Sequence, residues 1–220
     1  MHDDALWAGT SRGLFHYTGS GWQRAAGDPP ELRLATNTFY VDSDGGFWVA
    51  TNAGVARLEG DTLQQFVPAN VYKSAAQVES MYEDREHDLW FGTRANGVSR
   101  LWNGYTERYT TTEGLGEALT WSVTPAHKGG TWVGTANGVY LLQGGSFKLT
   151  VPAAELPSPN VYTVMDDGTR LWVGTQSGIV QYQDGRILHP PQLASLAGIT
   201  VQGLFRDSRG TVWMATLDGV

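Results

Sequence analysis

The chain has 220 residues, a formal net charge of -7 and no cysteine. The lack of cysteine excludes disulfides, thiolate metal sites and a cysteine nucleophile. Its 15 lysines and arginines are scattered, which argues against a nucleic-acid partner because phosphate binding needs clustered positive charge. The chain has no apolar stretch long enough to span a bilayer, and no basic segment followed by an apolar one at its start. We therefore expect neither membrane insertion nor an export signal within it.

One motif of aromatic, small and turn residues recurs along the whole chain. Its copies LWAGTSRG, FWVATNAG, LWFGTRANG, TWVGTANG, LWVGTQSG and VWMATLDG begin at Leu6, Phe47, Leu89, Thr131, Leu171 and Val212. The tryptophans of successive copies are 41, 42, 42, 40 and 41 residues apart. This period is typical of propeller blades, and it predicts one all-β domain over residues 1–220.

Each repeat predicts four short strands joined by tight turns, because runs of aromatic and β-branched residues alternate with Gly, Asn and Asp. The first repeat lacks its leading strand and the sixth lacks its last two. The strand count therefore equals five full sets and one additional motif strand. We expect a β-propeller of four-stranded antiparallel blades, with five repeats and an incomplete sixth, and the additional strand favours a segment of a larger ring.

The motif residues have predicted structural roles. A four-stranded sheet is marginal alone and must bury both faces, so one large aromatic residue per blade is expected in the core. The predicted core tryptophans are Trp7, Trp48, Trp90, Trp132, Trp172 and Trp213. The last glycine of each motif is expected at positive φ in a hairpin, and the small residue before the threonine is expected to let blades approach closely.

These residues resemble the two-component regulator propeller repeat, which reads approximately Asp-x-x-Gly, Leu-Trp-Val-Gly-Thr-x-x-Gly-Leu and then a Tyr-rich strand. The resemblance extends over essentially the entire chain and is best in VYTVMDDGTRLWVGTQSGIVQYQDGRI. Ala50 and Ala215 depart from the motif glycine, and Thr131 departs from its leucine. WD40 and kelch patterns fit less well.

The resemblance implies an extracytoplasmic sensor region of a bacterial receptor. Such receptors continue into an immunoglobulin-like domain, a membrane helix and a cytoplasmic histidine kinase, often hybrid, or a diguanylate cyclase. It further implies recognition of oligosaccharides or other small ligands in the periplasm or outside the cell, and contact with the other domains of a parent protein. We expect no enzyme activity and no cofactor in this chain, since no kinase, phosphoacceptor or membrane segment is found in it.

Other chemistry has weaker support. The acidic turns at 42–46, 83–88, 166–168 and 207–210 contain oxygen ligands suited to calcium, but they recur where ordinary hairpin turns belong and lack the EF-hand series. The histidines His2, His16, His87, His127 and His189 lie in different repeats without zinc-site spacing. No Gly-x-Ser-x-Gly elbow occurs, so a serine nucleophile has no support. We expect no metal site.

A comparison of equivalent positions between repeats points to a candidate binding surface. The residue eleven before the motif tryptophan differs between repeats, and it lies at the entry to each first strand, where the loops of a propeller converge. These residues are Asn37, Glu79, Trp121, Val161 and Gln202. Trp121 and the neighbouring Tyr162 would stack against a sugar, and Asn37, Glu79 and Gln202 would hydrogen-bond to it. The alternative is that these side chains line a channel and hydrogen-bond to one another or to water.

Two further functions stay open at this point. One is a free-standing propeller lectin or protein-interaction scaffold, and the other, less favoured, is a propeller lyase or hydrolase with a His, Glu or metal cluster at the channel mouth. Unpaired edge strands are a known route to association, so a homodimer also stays open. The longer connections at 67–77, 110–119 and 151–160 offer a second surface of ordinary loop composition.

Overall fold

The computed structural model describes residues 6–25, 35–52, 54–59, 62–65, 77–102 and 105–219. Its regular secondary structure is β-strand apart from short 3-10 helices at Thr111–Glu113, Ala153–Glu155 and Pro191–Leu196. Every strand pairing in these residues is antiparallel, and the strands of each sheet follow one another in chain order. The predicted all-β meander is thus confirmed. The chain divides into two compact units, Met1–Glu107 and Arg108–Val220.

The first unit contains three sheets. Sheet 1 consists of β1 (Leu6–Thr10), β2 (Gly13–Tyr17) and β3 (Trp22–Arg24). Sheet 2 consists of β4 (Thr36–Val41), β5 (Phe47–Thr51), β6 (Gly54–Glu59) and β7 (Thr62–Gln65). Sheet 3 consists of β8 (Val78–Glu83), β9 (Leu89–Thr93), β10 (Val98–Trp102) and β11 (Tyr105–Tyr109), which reaches past the end of the unit.

The second unit also contains three sheets. Sheet 4 consists of β12 (Thr120–Pro125), β13 (Thr131–Thr135), β14 (Gly138–Gln143) and β15 (Ser146–Pro152). Sheet 5 consists of β16 (Val161–Asp166), β17 (Leu171–Thr175), β18 (Gly178–Gln183) and β19 (Arg186–Leu188), and sheet 6 of β20 (Val201–Arg206) and β21 (Val212–Thr216). Within the described residues sheet 1 therefore has three strands and sheet 6 has two, as the strand count predicts.

The hydrophobic core lies between successive sheets of each unit. Phe47 and Val49 of sheet 2 pack with Leu14 of sheet 1, whereas the opposite face of sheet 2 packs against Val78 and Phe91 of sheet 3. In the second unit the valines of β14 and β15 pack against those of β16 and β17. Each sheet thus buries apolar side chains against its neighbour, which a single four-stranded sheet could not do by itself.

The motif tryptophans differ in burial. Trp48 and Trp90 are buried, and the cluster that contains Trp48 includes residues of sheet 3. Those of sheets 1, 4 and 5 are half-buried. Trp213 is 51% exposed, which corrects the expectation that all six lie in the core. The reason is positional, because Trp213 lies on sheet 6 and the described residues include no following sheet to cover it.

The motif threonine and glycine close the hairpin between the second and third strands. The Thr135 hydroxyl donates to the Gly138 carbonyl at 3.0 Å and accepts the Asn137 amide at 2.9 Å. The equivalent threonine hydroxyl donates to the glycine carbonyl in all six repeats, at 2.8 to 3.1 Å. Gly138 has a φ of 101°, as predicted for this position, since a side chain there would be strained.

The small residue before the threonine permits close approach of neighbouring sheets. A Cβ on Gly174 would lie 2.5 Å from Thr163 Cγ2 and 2.9 Å from Val201 Cγ1 of sheet 6. Both distances are too short for carbon atoms without movement of the neighbours. The predicted role of the motif glycine in sheet packing is therefore confirmed at this position.

Candidate functional site

The acidic turns hold the motif tryptophans. Asp84 Oδ2 accepts the Trp90 indole N–H at 2.6 Å, and Asp84 Oδ1 accepts the amides of Glu86 at 3.0 Å and Asp88 at 2.9 Å. The equivalent indole bonds join Trp48 to Asp42 at 2.7 Å, Trp172 to Asp167 at 2.8 Å and Trp213 to Asp207 at 3.0 Å. These oxygens already accept N–H donors, so the contacts support the turn interpretation over calcium binding.

The same bonds change the acidity of two turn carboxyls. The indole of Trp213, with two turn amides, lowers the pKa of Asp207. Burial opposes ionisation of Asp167, but the indole of Trp172 and the amides of Arg170 and Thr169 more than offset it, so the pKa of Asp167 is also lowered. Hydrogen bonds to the ionised form favour that form, so the Asp167 and Asp207 carboxyls lose their protons at a lower pH than an ordinary aspartate.

Sequence reasoning missed this aspartate–tryptophan pairing, although a signal was present. An aspartate lies six residues before the motif tryptophan in the second, third and sixth repeats, at positions 42, 84 and 207. The fourth repeat has Ala126 at that position, and Trp132 donates instead to Asp166 of the adjoining sheet 5 at 2.8 Å. One tryptophan thus links two sheets by a hydrogen bond.

The candidate binding residues share a backbone feature that the sequence did not reveal. In β12, Thr120 pairs with Thr135 and Ser122 pairs with Gly134, which leaves Trp121 as the additional residue of a β-bulge. The corresponding bulge residues of β4, β8, β16 and β20 are Asn37, Glu79, Tyr162 and Gln202. A bulge redirects a side chain out of the regular alternation and is over-represented beside active sites. We call these five residues the bulge row.

The equivalent residue in the fifth repeat is Tyr162 and not Val161. Val161 is fully buried and belongs to the regular strand pairing. Counting back from Trp172 is misleading because Asp167, which binds its indole, lies five residues before it instead of six. The turn between β16 and β17 is therefore one residue shorter than the equivalent turn of the other repeats. The bulge residue of this repeat lies ten residues before the motif tryptophan instead of eleven.

The two members of the bulge row in the first unit, Asn37 and Glu79, are both hydrogen-bonded to other protein groups. Asn37 Nδ2 donates to the Val78 carbonyl at 2.9 Å and to Asn52 Oδ1 at 3.1 Å. Glu79 Oε1 accepts from Arg94 Nε at 2.8 Å. Asn52 and Arg94 both directly follow the motif threonine, a position that sequence reasoning did not connect with the bulge row. In this unit the contacts support the alternative of side chains that bond to one another.

The second unit has a different arrangement. The Trp121 and Tyr162 rings form an edge-to-face pair with centroids 5.1 Å apart, and both rings are half-buried. Gln202, the next member of the row, is exposed. Ala136 follows the motif threonine of sheet 4, so the position that Asn52 and Arg94 occupy in the first unit carries only a methyl group here. Two aromatic rings and an amide on successive first strands can contact a ring-shaped polar ligand.

The described histidines do not form a relay or a metal site. Ser43 Oγ contacts His87 Nδ1 at 2.7 Å and Glu83 Oε1 at 2.6 Å, and the same Nδ1 lies 3.1 Å from Glu83 Oε1. A serine–histidine–carboxylate relay uses both ring nitrogens, whereas here both partners meet Nδ1. The described residues contain no group of three or more His, Cys, Asp or Glu side chains placed to hold a metal ion, and His2 lies outside them.

Two of the three longer connections are described. Residues 110–119 begin with a capping box in which Thr110 and Glu113 bond reciprocally, and hydrogen bonds to Thr110 lower the pKa of Glu113. Residues 151–160 contain the 3-10 helix Ala153–Glu155. The connection at 67–77 lies outside the described residues except for its last position.

Residues 73–95 match the family model for the two component regulator propeller. The resemblance predicted from the six motifs is confirmed for this repeat, and the chain carries a two-component regulator propeller repeat. No curated protein matches the chain.

Solved structures resemble nearly the whole chain. One is the extracellular domain assigned to a hybrid two-component system of B. thetaiotaomicron, with a TM-score of 0.79 and 20% identity over 98% of this chain and 30% of that one. A streptogramin B lyase has a TM-score of 0.74 and 16% identity over 98% of this chain and 74% of that one. PorZ, a surface component of the type-IX secretion system of Porphyromonas gingivalis, has a TM-score of 0.68 and 17% identity over 98% of this chain and 36% of that one.

These likenesses confirm the β-propeller fold. The chain spans about 30% of the length of the B. thetaiotaomicron domain that it resembles. The helices in the described part of the chain are short 3-10 turns, and none of them could span a bilayer.

Proposed function

We propose that this chain is a ligand-recognising propeller region in the extracytoplasmic part of a bacterial signalling receptor. The observation that carries the proposal is the two-component regulator propeller repeat at residues 73–95. The likeness in fold to the extracellular domain of a hybrid two-component system supports it. A histidine kinase or diguanylate cyclase in the parent protein would supply the catalytic output, and this chain would supply recognition.

The proposed location is periplasmic or extracellular, and the proposed partners are the other domains of the parent receptor and a small ligand. An oligosaccharide suits the second unit, because Trp121 and Tyr162 are partly exposed aromatic rings that can pack against the C–H side of a sugar. Gln202 offers an amide that both donates and accepts for sugar hydroxyls. The turns, by contrast, have their carboxylate oxygens already bonded to the chain.

The members of the bulge row in the second unit are the proposed contact surface, with its two aromatic residues as the main determinants. Asn37 and Glu79 already have protein partners at 2.9 and 2.8 Å, so a ligand would have to replace those bonds at little net gain. We therefore assign most of the binding energy to Trp121 and Tyr162.

A glycan array probed with the purified chain tests this proposal, followed by calorimetric titration of the strongest glycan. We expect saturable binding that weakens at least about tenfold in Trp121→Ala and in Tyr162→Ala, in the range seen when an interface aromatic is truncated. Trp102→Ala is the matched control, because Trp102 is 41% exposed and lies outside the bulge row. Its affinity should equal that of the parent chain.

Two results would count against the proposal. One is an array without a binding glycan, and the other is a glycan whose affinity the three variants leave unchanged or reduce equally. Thermal melts of each variant show whether a loss of binding results from a loss of structure.

A further inference from the structure

The second unit contains a cavity of about 330 Å³ between sheets 4 and 5. It lies where β12 turns into β13 and β16 turns into β17, at the opposite end of the first strands from the bulge row. Trp132, Leu141, Leu171 and Tyr182 contribute apolar surface, and Lys128 and Arg170 are among the polar residues that line it. The volume is within the range of small-molecule sites.

The cavity coincides with two departures of the fourth repeat from the second and third repeats. In the second and third repeats an arginine on the third strand pairs with the motif tryptophan and lies over its ring, Arg57 over Trp48 and Arg100 over Trp90, each at 5.4 Å. Leu141 occupies that place beside Trp132. The guanidinium that covers the indole in those repeats is therefore absent from this one.

The second departure is Ala126, which stands where the second, third and sixth repeats have the aspartate that binds the indole. The two turns share a backbone hydrogen bond but differ in conformation, since Gly130 has a φ of 90° and its counterpart Asp88 does not have a positive φ. The Ala126 amide donates to the Gly130 carbonyl at 3.0 Å, as the Asp84 amide donates to the Asp88 carbonyl at 3.0 Å. Aspartate is compatible with this hydrogen bond in the third repeat, and Ala126 leaves a smaller side chain in the cavity wall.

Asp166 of sheet 5 replaces the missing carboxylate. Its Oδ2 accepts the Trp132 indole at 2.8 Å and the His127 amide at 2.9 Å, and its Oδ1 accepts the Gly168 amide at 2.9 Å. The first two bonds fix Trp132 and the turn after β12 on the adjoining sheet, and the third lies within the turn of sheet 5 itself. The cavity wall is therefore held in place by hydrogen bonds between the two sheets.

Two cations at the cavity have no carboxylate partner among the described residues. No side-chain nitrogen of Lys128 or Arg170 lies within 4.0 Å of a described carboxylate oxygen. Arg170 Nη1 donates to the neutral Gln181 side chain at 2.9 Å. Of the two acidic residues that line the cavity, Asp166 is already bonded to three N–H groups, and Asp184 is exposed in the β18–β19 turn.

We propose that this cavity binds a small organic carboxylate whose body has an apolar face. Lys128 and Arg170 would hold the carboxylate, and the Trp132 and Tyr182 rings would contact the apolar face. This goes beyond the proposed function, because the site is separate from the bulge row. Trp121 and Ala126 are five residues apart, or about 16 Å along an extended strand.

Calorimetric titration with two acids and their neutral counterparts tests the proposal and distinguishes two sources of such a ligand. The probes are glucuronate against glucose, for a sugar acid, and benzoate against benzyl alcohol, for an aromatic acid. We expect saturable binding of at least one acid and at least about tenfold weaker binding of its neutral counterpart. Raising the salt concentration should weaken binding of that acid, because the two cations are exposed.

Two variants locate the site. Lys128→Gln removes one exposed charge and should weaken acid binding at least about tenfold, whereas Lys148→Gln, which changes an exposed lysine of the same sheet outside the cavity, should not. Ala126→Asp restores the usual residue of the turn and adds a negative charge, so it should abolish acid binding. Trp121→Ala should leave acid binding unchanged, which separates this site from the bulge row.

Three results would overturn the proposal. The first is the absence of saturable binding by either acid, and the second is equal binding of an acid and its neutral counterpart. The third is equal affinity in Lys128→Gln and the parent chain. Since Lys128 is exposed, Lys128→Gln keeps the test valid even if Ala126→Asp fails to fold.

Discussion

Replacement of Asp84 by alanine should destabilise the turn before Trp90 far more than the same change at Asp207. Both carboxylates accept two turn amides and one indole N–H, so the bonds lost are equal in number and kind. They differ in burial, because Trp90 is 7% exposed and Trp213 is 51% exposed. Water can satisfy the indole of Trp213 but not that of Trp90.

The magnitude follows from these contacts. Each amide bond lost at Asp84 costs about 1 kcal/mol net, and a buried indole donor left without an acceptor costs about 1 to 3 kcal/mol more. We therefore expect Asp84→Ala to lower stability by about 3 to 5 kcal/mol. For Asp207→Ala we expect only a smaller loss, since both the turn and its indole remain in contact with solvent.

Hydrogen exchange measured by mass spectrometry is the appropriate assay, because it reports the opening of each turn separately. The amides of Glu86 and Asp88 should exchange much faster in Asp84→Ala. The amides of Arg209 and Thr211 should already exchange fast in the parent chain and change little in Asp207→Ala. Equal effects of the two substitutions would refute the view that the carboxylate matters mainly as the acceptor of a buried indole.

Other predictions concern the core, the sheet contacts and pH. Trp48→Ala should lower stability by about 3 to 5 kcal/mol, and Trp213→Ala by much less, in chemical denaturation; equal losses would contradict the assigned burial. Gly174→Ala should cost about 1 to 3 kcal/mol because its Cβ would lie 2.5 Å from a methyl group, whereas Gly203→Ala, with a nearest atom at 3.4 Å, should melt near the parent temperature. The pKa of Asp167 is lower in the folded chain than in the unfolded chain, where it is about 3.9. The ionised carboxylate therefore stabilises the fold above about pH 3.9, and this stabilisation is lost as the pH falls through the folded-state pKa. Asp167→Asn should therefore melt below the parent at pH 7, with a difference that narrows below about pH 4; a constant difference would contradict the pKa direction.

The fold was predictable because each repeat places a large aromatic residue, a small residue and a turn glycine at the same spacing. Those residues have local requirements, such as the positive φ of Gly138, that appear directly in the sequence. Burial was less predictable, since it depends on whether a further sheet follows. Trp213 has the same motif as Trp48 but lies on sheet 6, which no described sheet follows.

The candidate site was only partly predictable. Variation between repeats identified the bulge row, but counting from the tryptophan selected Val161 where a turn is one residue shorter. Alignment on the buried residue that begins each first strand would have identified Tyr162. In the fourth repeat position 126 is alanine, and Asp166, which lies 40 residues later on the next sheet, accepts the tryptophan N–H instead. Nothing within a single repeat indicates that contact.

Nuclear magnetic resonance of the indole N–H groups, during titration with the strongest glycan from the array, tests the central proposal most directly. Each tryptophan gives its own indole signal, so the spectrum compares Trp121 in the bulge row with Trp102 outside it. We predict that the Trp121 signal shifts saturably while the Trp102 signal does not move. A glycan that binds saturably without shifting the Trp121 signal would contradict the assignment of the second unit's bulge residues as the recognition surface.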